Sequence, residues 1–142
     1  LGLRERAGDG GAGDDWDVAI RTNISGAEMR ELLGQATVGL HTMREEHFGI
    51  NVVEFMAAGS VPLAHRSGGP LMDIVTPLEG QPTGFLASDE ASYASALQEI
   101  FDLSPDERMR IAGAARASVQ GRFAQEAFEA EIADGMVARL RE

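Results

Sequence analysis

Residues His41 to Gly69 read HTMREEHFGINVVEFMAAGSVPLAHRSGG, and the fold that we predict for the chain rests mainly on the pattern of this stretch. Its pattern is typical of a strand, a polar turn, a helix, a second strand and a glycine-rich turn. Glu46 ends the polar turn, and Glu54 follows eight positions later on the helix that begins near Gly49. Two carboxylates therefore lie near one helix start, above the carboxyl end of a buried strand. In open α/β sheets this is the edge where ligands bind.

Strand-like and helix-like segments alternate on both sides of this stretch. The predicted strands are rich in apolar residues and span Trp16–Asn23, Thr37–Met43, Val61–His65 and Thr83–Ser88. The predicted helices follow Ser25 and Ser88, span Gly49–Gly59 and Pro70–Val75, and end the chain as two or three further helices after Ser104. Such alternation predicts an α/β fold, a Rossmann-like parallel sheet covered on both faces with helices at the C-terminal end.

Two helix signals are specific enough to predict individual contacts. SPDE at Ser104–Glu107 combines a Ser cap, a Pro at the first helical position and a Glu at the third. The last helix carries apolar residues at a spacing of four, which favours packing against a core or another domain: Ala124, Phe128, Ile132, Met136 and Leu140.

The first fifteen residues differ in composition from the rest. Leu1–Arg6 is interpreted as the tail of a helix, and Gly8–Asp15, GDGGAGDD, as a flexible surface loop. Residues 16–142 are predicted to form a separate, partial domain. If two strands of a doubly wound sheet precede this segment, Thr37–Thr42 exposes an unpaired edge, and Trp16–Thr22 lies detached or directly beside it.

Composition limits the function. A net charge of −11 over 142 residues argues against a nucleic-acid partner or a general anionic surface. With no Cys, the chain has neither a disulfide framework nor a thiolate metal site. His41, His47 and His65 lie near the predicted ligand edge, but their spacing matches no metal motif, so no metal site is predicted.

The two glutamates have two interpretations. Carboxylates near a helix start are favoured by the helix dipole alone, so ordinary capping explains them. Alternatively, both accept hydrogen bonds from vicinal sugar hydroxyls, and the uncapped N–H groups around Phe48–Asn51 face an anion such as a diphosphate. Ser67–Gly69 likewise reads either as a strand-to-helix turn or as glycines that let the backbone approach a sugar or phosphate.

The order of these features resembles a known family. EHFGINVVEFMAAG, which starts at Glu46, is similar to the glutamate-x7-glutamate donor motif of retaining GT-B glycosyltransferases. More narrowly, GLHTMREEHFGINVVEFMAAG, LAHRSGGPLMDIV and TGFLA resemble the α-1,2-mannosyltransferases that extend the dolichol-pyrophosphate-linked oligosaccharide in asparagine-linked glycosylation. Many wider relatives have Pro-Glu after the paired glycines, whereas here Pro70 is followed by Leu71 and Asp73 comes later.

The resemblance implies a mannosyltransferase that uses GDP-mannose as donor, retains the anomeric configuration and needs no metal or other cofactor. It implies that Glu46 is the catalytic residue, holding hydroxyls of the transferred mannose, and that Glu54 holds the guanosine ribose. It also implies that further residues line the diphosphate and sugar: Phe48, Gly49, Ile50, Ser67, Gly68 and Gly69.

The family's acceptor-binding domain, membrane anchor and diphosphate-binding Arg and Lys lie upstream of the motifs found here. Residues 16–142 are therefore interpreted as a partial nucleotide-sugar (donor) binding domain, the later part of such a domain and inactive alone. The resemblance implies an enzyme at the cytosolic face of the endoplasmic reticulum membrane. Implied partners are the nucleotide-sugar donor, the lipid-linked oligosaccharide acceptor and other glycosyltransferases of the pathway. Three alternatives remain open: a GT-B enzyme with a UDP-sugar donor, a non-catalytic nucleotide-sugar binding module, and an α/β regulatory domain.

Overall fold

The computed structural model describes residues 5–7 and 18–139, and the chain divides into two compact units, Leu1–Leu32 and Leu33–Glu142. In the first unit, β1 (Glu5–Ala7) pairs in parallel with β2 (Val18–Ile20). Glu5 and Arg6 thus lie in a strand, where the sequence predicted a helix tail. Leu1–Arg4, Gly8–Asp15 and Trp16 lie outside the described residues.

A three-stranded parallel sheet forms the centre of the second unit. Its strands are β3 (Val38–His41), β4 (Val61–His65) and β5 (Phe85–Ala87), in the order β3-β4-β5. The span of β4 is the predicted one, and β3 and β5 are shorter than predicted. Because β2 pairs with β1 in a separate sheet, it does not pair beside β3.

Helices follow the strands in the predicted alternation, which confirms the α/β class. They are α1 (Gly26–Gln35), α2 (Ile50–Ala58), α3 (Glu90–Asp102), α4 (Pro105–Phe123) and α5 (Gln125–Arg139), with a π-helical turn at Pro70–Ile74. None of these helices, within the described residues, is long and apolar enough to cross a membrane.

Helix starts are set by local hydrogen bonds, as the sequence predicted at Ser104. The Ser104 hydroxyl accepts from the Glu107 N–H, and the Glu107 carboxylate accepts from the Ser104 N–H at 2.8 Å, a complete capping box. The Ser104 hydroxyl also donates to the Glu107 carboxylate at 2.6 Å. This bond, together with the one from the Ser104 N–H, favours the charged carboxylate and lowers the pKa of Glu107. Asp89 and Ser92 form a second capping box at α3, which lowers the pKa of Asp89 for the same reason.

Strand β4 is buried on both faces, and the core accordingly lies on both sides of the sheet. On one side, Ala64 packs with α2, the π-helical turn and α4 through Val52, Met56, Ile74, Val75, Ala115 and Val119. On the other side, Val61 and Leu63 pack with β5, α3 and the start of α4 through Ala87, Ala96, Ile100 and Ile111. Covering helices on both faces explain why all five residues of β4 are buried.

The apolar stripe predicted for the last helix does not form a core where its side chains are described. Phe128 is 60% exposed and Ile132 is 46% exposed on α5. Ala124 lies at the C-cap of α4, before α5 begins. Packing of this stripe against the core is therefore wrong for Phe128 and Ile132, and packing against another domain stays a prediction. Met136 and Leu140 lie outside the described side chains.

Candidate functional site

The candidate site lies at the carboxyl edge of the parallel sheet. Strands β3 and β4 end there in His41 and His65, both buried. The loop 42–49 connects β3 to α2 and carries Glu46, and the turn 66–69 connects β4 to the π-helical turn. The structure therefore brings the polar turn and the glycine-rich turn together, as the sequence predicted.

Glu46 lies in the loop just before α2, and its carboxylate contacts the ring of His41. The contact joins His41 Nε2 to Glu46 Oε2, with the two side chains 8% and 21% exposed. Because an ionised carboxylate only accepts hydrogen bonds, His41 is the donor. The sequence placed His41 near the ligand edge but did not predict Glu46 as its partner.

A tyrosine from α3 is hydrogen-bonded to His41, the last residue of β3. The Tyr93 hydroxyl donates to the His41 carbonyl oxygen at 2.9 Å. Burial raises the pKa of the Tyr93 phenol, although the positive charge of Arg44 acts in the opposite direction. Tyr93 therefore stays protonated at neutral pH and remains a donor.

Paired glycines hold the turn 66–69 against the loop 42–49. The Gly69 N–H donates to the Glu46 carbonyl oxygen at 2.7 Å. A Cβ on Gly69 would lie 2.2 Å from the Phe48 carbonyl oxygen, and one on Gly68, where φ is +53°, would lie 2.1 Å from the Glu46 carbonyl oxygen. Both glycines are thus required by contact between two segments of the chain itself.

The start of α2 offers backbone donors beside Glu46. Gly49 is the N-cap residue in a left-handed conformation with φ 103°, and no side chain caps the helix. A Cβ on Gly49 would lie 3.4 Å from Glu46 Oε2, so the cap residue and the carboxylate are adjacent. Glu54 lies on α2 with an exposed side chain, as predicted, rather than in the core.

Phe48 and Ile50 flank Gly49 with partly exposed side chains, 40% and 56% respectively. The Phe48 ring packs edge-to-face on Phe123 at the end of α4, with ring centroids 5.3 Å apart. Arg122 covers the Phe123 ring at 4.8 Å and donates to the Asp73 carbonyl oxygen. Sequence reasoning missed this anchor, because no local pattern relates the loop to residues more than seventy positions later.

Other clefts and metal ligands do not add to this site. A cleft of about 780 Å³ between α3 and the start of α4 contains none of the predicted site residues; it is lined by Ala94, Ser95, Gln98, Glu99, Asp102, Leu103 and Glu107. Among the side chains that the structure describes, no group of three or more acidic or His residues is arranged to hold a metal ion.

The chain is similar to one protein family and to proteins of known name. The family model described as "Glycosyl transferases group 1" matches residues 16–118. A Mus musculus protein named GDP-Man:Man(3)GlcNAc(2)-PP-Dol alpha-1,2-mannosyltransferase is 55% identical over 113 residues, 80% of this chain and 23% of that protein. A Homo sapiens protein of the same name is 52% identical over 112 residues, 79% of this chain and 23% of that protein.

A solved structure, the catalytic domain of starch synthase IV from Arabidopsis thaliana bound to ADP and acarbose, aligns with a TM-score of 0.40. The identity is 23%, over 59% of this chain and 19% of that one. The chain thus spans about a quarter of the length of the curated relatives from mouse and human.

Proposed function

Because the chain belongs to the group 1 glycosyl transferase family, we propose that it is the later part of the donor-binding domain of a retaining GT-B mannosyltransferase. The reaction is the transfer of mannose from GDP-mannose, in α-1,2 linkage, to a dolichol-pyrophosphate-linked oligosaccharide. The observation that carries the proposal is the placement of the Glu46 carboxylate beside the uncapped start of α2. The names of the relatives at 52–55% identity support the same substrate pair.

In the proposed site, the helix start binds the anion and the carboxylates bind hydroxyls. No side chain caps the start of α2, and the positive end of the helix dipole lies there, which suits the diphosphate of a nucleotide sugar. Glu46, oriented by His41, accepts hydrogen bonds from the transferred mannose. Glu54, about one helical turn after the start of α2, accepts from the ribose hydroxyls.

The remaining predicted residues shape the walls of this site. Phe48, Gly49 and Ile50 line the sugar and diphosphate at the loop end. Ser67, Gly68 and Gly69, in the turn that packs against this loop, line the site beside it.

Transfer with retention requires one bond to break and one to form on the same face of the sugar. The bond between the anomeric carbon and the diphosphate oxygen breaks, and the acceptor hydroxyl oxygen bonds to that carbon. The proton of the acceptor hydroxyl passes to the leaving diphosphate. Glu46 then acts by positioning the mannose and stabilising charge, without becoming a covalent nucleophile.

The proposal also extends to cofactors, partners and location. GDP-mannose is a substrate, and the reaction needs no additional cofactor. The acceptor is bound by parts of the enzyme beyond the donor segment, and association with other glycosyltransferases of the pathway is part of the proposal. The dolichol-linked acceptor implies action at the cytosolic face of the endoplasmic reticulum membrane.

The test separates the two glutamates in the full-length protein that contains this chain. Glu46→Ala should lower turnover far more than GDP affinity, because Glu46 contacts the transferred sugar. Glu54→Ala should mainly weaken nucleotide binding, by about 1–3 kcal/mol for a lost charged hydrogen bond. Turnover with a lipid-linked acceptor and calorimetric titration with GDP measure the two effects.

The control is Glu126→Ala, which removes an exposed carboxylate on α5 and should change neither quantity. Equal losses in turnover and GDP affinity for both site variants would contradict the division of roles. Tighter binding of UDP than of GDP would instead favour another sugar donor.

A further inference from the structure

The loop that carries Glu46 contains a residue in an unfavourable backbone conformation. Glu45 has φ 52°, in the left-handed region, although it is not a glycine. A residue with a Cβ adopts this conformation rarely, because it brings the Cβ close to the following carbonyl oxygen, so contacts from the surroundings are needed to favour it. The neighbouring Glu46 depends on it, because the direction of its side chain follows from the backbone of residue 45. The loop therefore needs an external support at Glu45.

That support is a chain of three hydrogen bonds that reaches Glu45 from the sheet. The Glu45 N–H donates to the Ser67 hydroxyl oxygen at 2.9 Å. The Ser67 hydroxyl lies 2.8 Å from His65 Nδ1, and His65 Nε2 lies 3.2 Å from the Ser88 carbonyl oxygen. We call these three contacts, through Ser67 and His65, the loop relay.

The direction of every bond in the loop relay is determined by its ends. The Ser88 carbonyl only accepts, so His65 Nε2 carries a hydrogen, and in the tautomer with this single ring hydrogen Nδ1 is an acceptor. The Ser67 hydroxyl must then donate to Nδ1, which leaves its oxygen lone pairs for the Glu45 N–H. All donors and acceptors are matched in one arrangement.

The loop relay begins on rigid structure. His65 is the last residue of β4, is 8% exposed, and Ser88 directly follows β5. Next to it, the Gly69 N–H holds the Glu46 carbonyl oxygen. Two consecutive loop residues are therefore bonded to the segment that follows β4, one through side chains and one through the backbone.

We propose that His65 and Ser67 are positioning residues that fix the backbone of Glu45 and so orient the Glu46 carboxylate towards the donor sugar. The catalytic part of this inference rests on the proposed function, whereas the structural part does not. The two parts are tested by separate measurements.

The structural part is tested by NMR on the 142-residue chain. Long-range proton–nitrogen correlations of His65 at neutral pH should show a hydrogen on Nε2 and none on Nδ1. Amide hydrogen exchange at Glu45 should be slow in the wild type and at least tenfold faster in Ser67→Ala. Ser95→Ala, on the exposed side of α3, is the matched control and should leave exchange at Glu45 unchanged. A hydrogen on Nδ1, or unchanged exchange at Glu45 in Ser67→Ala, would overturn the inference.

Two substitutions at His65 distinguish the relay from simple packing. In His65→Asn, the side-chain oxygen replaces Nδ1 as acceptor for Ser67, so Glu45 should keep most of its protection. In His65→Gln, the amide nitrogen replaces Nε2 as donor and the acceptor for Ser67 is lost, so protection should fall. Equal protection in the two variants contradicts the relay. If either variant fails to fold, the wild-type tautomer and Ser67→Ala still decide the question.

The catalytic part is tested by turnover of the full-length protein. Ser67→Ala should lower kcat tenfold or more with KM for the donor changed less than about threefold, because a displaced carboxylate affects the transition state most. His65→Asn should recover more of kcat than His65→Gln. A KM increase with unchanged kcat would refute the positioning role. Absence of transfer in the wild type would refute the proposed function, and the NMR result would still stand.

Discussion

Gly69→Ala is the substitution for which the geometry gives the clearest expectation. Gly69 has an ordinary helical backbone, with φ −56° and ψ −43°, so added strain in its own dihedral angles is not the issue. Its new Cβ would lie 2.2 Å from the Phe48 carbonyl oxygen and 2.6 Å from that of His47, both backbone atoms. Side-chain rotation cannot relieve such a contact. The two segments must therefore separate.

The size of the separation gives the expected magnitude. Ordinary contact begins at 3.4 Å, so the loop must move by about 1.2 Å relative to Gly69. Forcing atoms into a packed region costs about 1–3 kcal/mol of stability. Misplacement of a catalytic group by about 1 Å costs on the order of a hundredfold in rate. We expect a modest loss of stability together with a much larger loss of turnover.

Urea denaturation of the chain measures the first quantity, and turnover of the full-length protein measures the second. The matched control is Gly113→Ala, since Gly113 lies in α4 and a Cβ there meets nothing within 4 Å. That substitution should stabilise the chain by about 0.5–1 kcal/mol through helix propensity. Wild-type turnover in Gly69→Ala would contradict the expectation that the position of the loop controls activity.

Two further predictions concern stability and association. The pKa of Glu107 is lowered by its bonds to Ser104, so the stability that it adds is present above its ordinary pKa of 4.5 and is lost as the pH falls through the lower folded value. Urea midpoints of wild type and Glu107→Gln should therefore differ at pH 7 and converge once the pH is below that folded value; a difference that persists in acid would contradict this. Leu40 is 49% exposed on β3, an edge strand of the three-stranded sheet, and such edges favour association. Leu40→Glu should reduce self-association in light scattering more than the charge-matched Met109→Glu, whose side chain is 65% exposed on α4; equal effects would assign the change to charge alone.

Most of the second unit was predictable because its signals are local. The span of β4, the glycine stop at Gly59 and the capping box at Ser104 each depend on residues within five positions of one another. The core packing of the apolar stripe on α5 was not predictable, for the opposite reason. A periodic apolar pattern shows which face of a helix seeks a partner, but Phe128 and Ile132 find none among the described residues that covers them fully.

The candidate site was predictable in its positions but not in its contacts. The spacing of Glu46 and Glu54 placed one in the loop and the other on α2, as the structure has them. The partners of the loop come from β3, from the turn after β4 and from the end of α4, so they depend on the tertiary fold. The contact of His41 with Glu46 and the packing of Phe48 on Phe123 are of this kind.

The Ser-Gly-Gly turn shows how the two interpretations offered by the sequence combine. Ser67 supports Glu45 through its hydroxyl, Gly69 holds the Glu46 carbonyl, and Gly68 allows the backbone approach between them. Each residue is therefore explained by contacts within the chain, with no ligand required. The same contacts fix the loop beside the start of α2, where a donor would bind. These contacts within the chain therefore also hold Glu46 in place. Loss of any one of the three should first change the position of the Glu46 carboxylate.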